Sequence, residues 1–157
     1  MERVVVFGRG GAGKSTFAGY LSQIAGLPVI ELDRHFWSDD LTASSVEAWI
    51  GMQEQLAAGE RWIRDGDLGP YDAPEARLRR ADTVVVLDLS TLRCAWRAAL
   101  RSRERADFWR WLLTWRWRSR TTVLDAIGAR APHADLRVLR TPAQVRRFLS
   151  TATTTAS

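Results

Sequence analysis

Val4-Val5-Val6-Phe7-Gly8-Arg9-Gly10-Gly11-Ala12-Gly13-Lys14-Ser15-Thr16 is the stretch that decides the fold. Three β-branched valines and a phenylalanine, bounded by Arg3 and Gly8, read as a short buried strand over Arg3–Phe7. The chain then turns at once on Gly8, Gly10, Gly11 and Gly13. Beyond Lys14, the residues Phe17, Ala18, Tyr20, Leu21 and Ile24 recur at helical spacing. That helix is expected over Lys14–Ala25, closed by Gly26 and followed by Pro28.

Gly8-x4-Gly13-Lys14-Ser15 satisfies the phosphate-binding P-loop pattern in full. Glycines let the backbone curl until several N–H groups point at one anion. The helix that starts there adds the positive end of its dipole. Lys14 is a compact ammonium that reaches β- and γ-phosphates, and the Ser15 hydroxyl is placed to ligate Mg²⁺. Gly8, Gly10, Gly11, Ala12, Gly13, Lys14, Ser15 and Thr16 are therefore the expected nucleotide-binding residues. The expected cofactors are ATP or GTP with Mg²⁺; no base-specificity motif separates the two nucleotides. The chain has 22 arginines and one lysine, and that lysine is Lys14. Arginine replaces lysine everywhere except where a slim point charge is needed.

At 157 residues one domain is expected, over 1–150, with 151–157 a disordered polar tail. No run of 18 apolar residues exists, so no membrane span is expected, and the N-terminus enters a strand with no signal peptide. The single cysteine, Cys94, excludes an intrachain disulfide; it reads as a core thiol and fits a reducing, cytoplasmic setting. The formal charge of +5 is unevenly spread: residues 93–120 hold nine arginines against Glu104 and Asp107.

Strand and helix alternate along the whole chain, which predicts a parallel sheet with helices on both faces. Further strands are expected at Pro28–Leu32, Arg61–Arg64, Thr83–Leu87 and Leu136–Leu139, and further helices at Ser45–Ala58, Glu75–Arg80 and Pro142–Leu149. Between strands four and five, one long Arg/Trp-rich helical stretch covers about 91–128. Asp33, Asp65 and Asp88 each follow a strand. Ligands in open parallel sheets bind beyond the carboxyl ends of the strands, so all three are expected on the rim that carries the glycine turn.

Gly8–Thr16, Pro28-Val29-Ile30-Glu31-Leu32-Asp33-Arg34-His35-Phe36-Trp37, Arg61-Trp62-Ile63-Arg64-Asp65-Gly66 and Ala81–Asp88 together carry a resemblance. The chain, up to about Leu149, resembles the adenylate-kinase-related P-loop proteins often called topology modulation proteins, which are similar in fold to nucleoside monophosphate kinases and shikimate kinase. The resemblance implies a P-loop fold with strand order 2-3-1-4-5 and a helical lid over 91–128. It also implies roles. Asp33 would engage the acceptor hydroxyl, and Asp65 would hold Mg²⁺ beside Ser15. Arg93 would stack on the base and Arg97 would contact phosphate. His35, Trp37 and Asp67 would flank the acceptor. The sequence departs from adenylate kinases after Asp65-Gly66, where Asp67-Leu68-Gly69-Pro70 supplies no arginine for an acceptor phosphate. An acidic Asp67 suits a hydroxyl, amine or guanidine acceptor instead.

The expected function is an ATP-dependent small-molecule kinase, with Lys14, Asp33 and Arg97 in the catalytic roles and some of Arg93, Arg97, Arg101, Arg116, Arg118 and Arg120 closing over the nucleotide. Five of the eight tryptophans fall within 96–117. At helical spacing such a stripe reads first as packing. Arginine interleaved with tryptophan also suits base stacking and phosphate contact. The alternative function is therefore a nucleotide-dependent regulator that binds nucleic acid through this segment. The same segment also suits an anionic membrane surface.

Overall fold

In the computed structural model, the described residues are 1–36, 45–66, 72–101 and 106–155. The elements run β1 (Arg3–Gly8), α1 (Lys14–Ala25), β2 (Val29–Glu31), α2 (Leu32–Phe36), α3 (Val46–Ala57), β3 (Trp62–Asp65), α4 (Glu75–Arg80), β4 (Thr83–Leu87), α5 (Thr91–Arg101), α6 (Ala106–Arg130), β5 (Asp135–Leu139) and α7 (Pro142–Thr155). The five strands form one sheet in the order β2-β3-β1-β4-β5. Every pairing is parallel: Val5 lies opposite Arg64 on one side and Val84 on the other.

The sheet is covered on both faces, so β1 and β4 bury every apolar side chain they carry. Successive residues still sort by face. Val4 and Val6 pack with Phe17, Ala18 and Leu21 of α1 and with Phe148 and Leu149 of α7. Val5 and Phe7 pack with Leu78 of α4 and with Trp115 and Ile127 of α6. A third cluster, Leu32, Phe36 and Trp49, fastens α2 to α3, with the Phe36 and Trp49 rings edge to face at 5.1 Å.

Local signals set several ends. Gly26 caps α1 in the left-handed region at φ 62°. The Ser45 hydroxyl accepts from the Ala48 N–H and starts α3. At α7 the Thr141 hydroxyl accepts from the Gln144 N–H, and the Gln144 side chain reaches back to the N–H groups of Arg140 and Thr141. That is a capping box, with Pro142 at the first helical position.

Two expectations need correction. The second strand ends at Glu31; Leu32 already belongs to α2, because Leu32 and Phe36 bury together one helical turn apart. The Arg/Trp-rich stretch is helical as expected, over α5 and α6, and residues 102–105 lie outside the described residues. Helix α7 runs on to Thr155, through most of the segment expected to be a disordered tail. There the hydroxyls of Ser150, Thr151 and Thr153 donate to carbonyls one turn back, and Ala152 buries against the core.

Candidate active site

Strand β1 delivers the glycine turn at the carboxyl edge of the sheet, between β3 and β4. Its glycines are required by contact as well as by conformation. Gly11 has φ 74°, and a Cβ there would stand 2.2 Å from the carbonyl oxygen of Cys94 in α5. Gly13 has φ 88°, and a Cβ there would stand 3.0 Å from Nη1 of Arg97. The first turn of α5 thus lies on the loop, and the Arg97 guanidinium covers its end. Lys14 Nζ donates to the Gly8 carbonyl at 2.8 Å, which holds the ammonium across the mouth of the loop.

Asp65 ends β3 one strand away. The Ser15 hydroxyl hydrogen-bonds its carboxylate. Asp65 is buried, and its Oδ1 accepts no hydrogen bond. Burial pushes the Asp65 carboxyl above its ordinary value, while the Ser15 hydroxyl and the Lys14 ammonium pull it back; Glu31 adds to the rise. A buried carboxylate with an orphaned oxygen beside a serine hydroxyl fits a hard divalent cation. Among the described residues no group of three or more His, Cys, Asp or Glu side chains surrounds an ion. One hydroxyl and one carboxylate suit an ion that shares its shell with phosphate and water, as Mg²⁺ does.

A cleft of about 190 Å³ opens beside the loop, bounded by Gly13, Thr16 and Tyr20, by Arg93 and Arg97 of α5, and by Pro142 and Arg146 of α7. Arg93, Arg97, the loop glycines, Lys14, Ser15 and Asp65 are thus brought to one place. Asp33 and His35 lie at the same edge of the sheet, toward β2. They sit exposed in α2, which leaves the edge strand β2, two strands or about 10 Å from β1. Asp33 lies in the first turn of this short helix and not at a strand end. Trp37 and Asp67 lie outside the described residues, and of Arg101, Arg116 and Arg118 no side chain is described.

Asp88 follows β4 on the rim beside the glycine turn, as expected. Its carboxylate is buried and occupied by arginines: Arg120 Nε donates at 2.9 Å, Arg9 Nη2 stands at 3.8 Å and Arg140 Nε at 4.0 Å. Arg9, inside the glycine turn, is itself fully buried; it donates to Thr91 and lies 5.2 Å over the Trp115 ring. Arg120 is therefore a partner of Asp88. This junction ties the loop to α5, α6 and the β5–α7 turn, and reading the sequence missed it. The available signal was an aspartate ending β4 directly beside the strand that carries Arg9. Cys94 matches its core reading: its thiol is buried, 3.9 Å from the Leu89 carbonyl, and burial pushes its pKa up.

A central parallel strand ending in a glycine loop that caps a helix, in a 2-3-1-4-5 sheet, defines the nucleoside-monophosphate-kinase-like P-loop fold. Solved structures share it over nearly the whole chain. A sugar kinase from Janibacter sp. HTCC2649 aligns at a TM-score of 0.56 and 19% identity, covering 100% of this chain and 99% of that one. Shikimate kinase from Bacteroides thetaiotaomicron aligns at 0.58 and 16%, covering 96% and 95%. Deoxyadenosine kinase from M. mycoides with bound dCTP aligns at 0.51 and 16%, covering 96% and 98%. No protein-family model and no curated protein sequence matches the chain.

Proposed function

We propose that this protein is an ATP-dependent kinase that transfers the γ-phosphoryl group of the nucleotide to a small-molecule acceptor. The observation that carries the reading is the junction of Ser15, Asp65 and Lys14, where a hydroxyl, a buried carboxylate and an ammonium meet at the mouth of one glycine loop. The fold neighbours support it, being a sugar kinase, a shikimate kinase and a deoxyadenosine kinase.

In this reading the loop N–H groups and the α1 dipole bind the phosphates. Lys14 offsets charge on the β- and γ-phosphoryl oxygens. Ser15 and Asp65 hold Mg²⁺, which when bound draws charge from the phosphoryl oxygens. Arg97 reaches phosphate from Gly13, and Arg93 packs on the base in the cleft beside Tyr20 and Pro142. The acceptor enters from the β2 side, flanked by His35, Trp37 and Asp67. Its O–H or N–H attacks the γ-phosphorus, the bond to the β,γ-bridging oxygen breaks, and Asp33 takes the proton. Positioning and charge supply most of the rate.

The test is ADP formation from MgATP against a panel of nucleosides, nucleoside monophosphates, sugars, hydroxy acids and amino compounds. One class is expected to raise ADP formation well above the rate without acceptor, and Lys14→Ala to abolish the rise. A rise that survives in Lys14→Ala, or no rise with any class, sinks the proposal.

A further inference from the structure

Arg64 is fully buried in β3 and has only neutral partners. Its Nη1 donates to the Gln53 side-chain oxygen at 2.7 Å, and its Nη2 to the Gln53 backbone carbonyl at 3.2 Å. No carboxylate pairs with it among the described residues. Arg77 adds repulsion and is itself held by Asp72 at 2.8 Å. A buried cation of this kind is costly, and an anion brought near it offsets the cost.

Gln53 carries that charge outward. A guanidinium only donates, so the bond from Arg64 fixes which end of the Gln53 amide faces inward. The oxygen is taken by Arg64, while Nε2 is buried and has no acceptor. Gln53 also lines a cleft of about 200 Å³ between α3 and α4. Ile50, Ala73 and Ala76 supply carbon walls, and Glu54, Glu75 and Arg79 stand exposed around it. The cleft is remote from the glycine loop. Helix α4 packs on the face of Val5 and Phe7, whereas α1 and α7 pack on the opposite face, against Val4 and Val6. Asp33 and His35 do not line it.

These features select a ligand class. The cleft offers a donor that lacks an acceptor, so the ligand presents an oxygen. The unpaired guanidinium behind that donor polarises the amide and favours an anionic oxygen. The carbon walls, with room for about six water-sized groups, favour a short aliphatic body. Glu54 and Glu75 outnumber Arg79 and repel a doubly charged phosphate.

We propose that the cleft between α3 and α4 binds a small aliphatic monocarboxylate, whose oxygen accepts from Gln53 Nε2 and whose charge faces Arg64. The proposal does not depend on what the glycine loop binds.

The experiment titrates isovalerate into the isotope-labelled full chain and follows the Gln53 side-chain amide by NMR. A saturable shift of that resonance is expected, with or without MgATP. Neutral isovaleramide and inorganic phosphate are each expected to bind roughly tenfold more weakly or worse. Gln53→Glu supplies Arg64 with a carboxylate from within and is expected to lose isovalerate binding in calorimetry. Gln53→Leu/Arg64→Met removes both donors and is expected to lose it too. The absence of a saturable shift overturns the proposal. So does isovaleramide or phosphate binding as tightly as isovalerate, or unchanged isovalerate binding by either folded variant. Displacement of isovalerate by MgATP overturns it as well, because it places the anion at the glycine loop.

Discussion

Adding one methyl group at Gly11 tests whether α5 is seated on the glycine loop. Alanine at φ 74° costs about 1–2 kcal/mol for the left-handed backbone. The new Cβ would also stand 2.2 Å from the Cys94 carbonyl oxygen, closer than real Cβ atoms approach. That oxygen is backbone in a helix whose Cys94 and Ala98 are fully buried, so the loop and α5 must separate. Overpacking of this kind adds about 1–3 kcal/mol. Gly13→Ala is the internal comparison. Its φ of 88° carries a similar backbone cost, but its Cβ would meet the tip of the Arg97 side chain at 3.0 Å, which rotates away. At about 2–4 °C per kcal/mol for a domain of this size, Gly11→Ala should melt roughly 4–20 °C below wild type in calorimetry. Gly13→Ala should melt roughly 2–8 °C below it, from the backbone cost alone. Gly13→Ala should also change nucleotide affinity through Arg97. Equal melting temperatures for the two variants would refute the packing of α5 on the loop.

Asp88→Asn removes the one carboxylate on which Arg9, Arg120 and Arg140 converge, and should cost about 3 kcal/mol in denaturant unfolding, with a lower midpoint. Asp65→Asn should weaken binding of MgATP about tenfold or more while leaving Mg²⁺-free ATP nearly unchanged, read by calorimetry with and without the metal. The Asp82 carboxylate is pushed up by burial, but the Thr83 hydroxyl and the Arg3 and Glu2 backbone N–H groups more than reverse this, with help from the terminal ammonium, and hold it below its ordinary 3.8. A depressed carboxyl stabilises above its unfolded value and loses that contribution as pH falls through its folded value. Urea midpoints should therefore drop on acidification below that ordinary value, and Asp82→Asn should flatten the drop. Arg64 is fully buried, bonded to Gln53 at 2.7 Å with no carboxylate partner among the described residues; burial and the nearby Arg77 push its pKa down to about 9. Gln53→Leu/Arg64→Met should melt no lower than wild type, because it removes a buried charge that has no carboxylate partner among the described residues.

The strands, the glycine loop and most helices were legible because their signals are local: β-branched runs, helical spacing, Gly26, Ser45 and the Thr141-Pro142 start. Strand order was legible only through the resemblance, since no residue of β2 encodes that β3 lies beside it. Asp65 was legible on the rim from its place after a strand, and its partnership with Ser15 only through the resemblance. The buried arginines were not. Arg9, Arg64 and Arg77 look in sequence like any of the other nineteen arginines. Each is fixed only by tertiary partners: Thr91 and Trp115, Gln53, and Asp72 with the Phe7 ring. The end of α7 was misread because Thr151-Ala152-Thr153 has the composition of a polar tail. Its helix depends on hydroxyls folding back and on Ala152 meeting the core, which composition does not reveal.

The central claim is that Gly8–Thr16 binds the phosphates of a magnesium nucleotide, and titration calorimetry of MgATP into the wild-type chain and into Lys14→Ala tests it most directly. The account predicts saturable one-site binding by the wild type, weakened roughly a hundredfold in Lys14→Ala because a charge-assisted contact to phosphate is gone. Equal binding by the two proteins would contradict it.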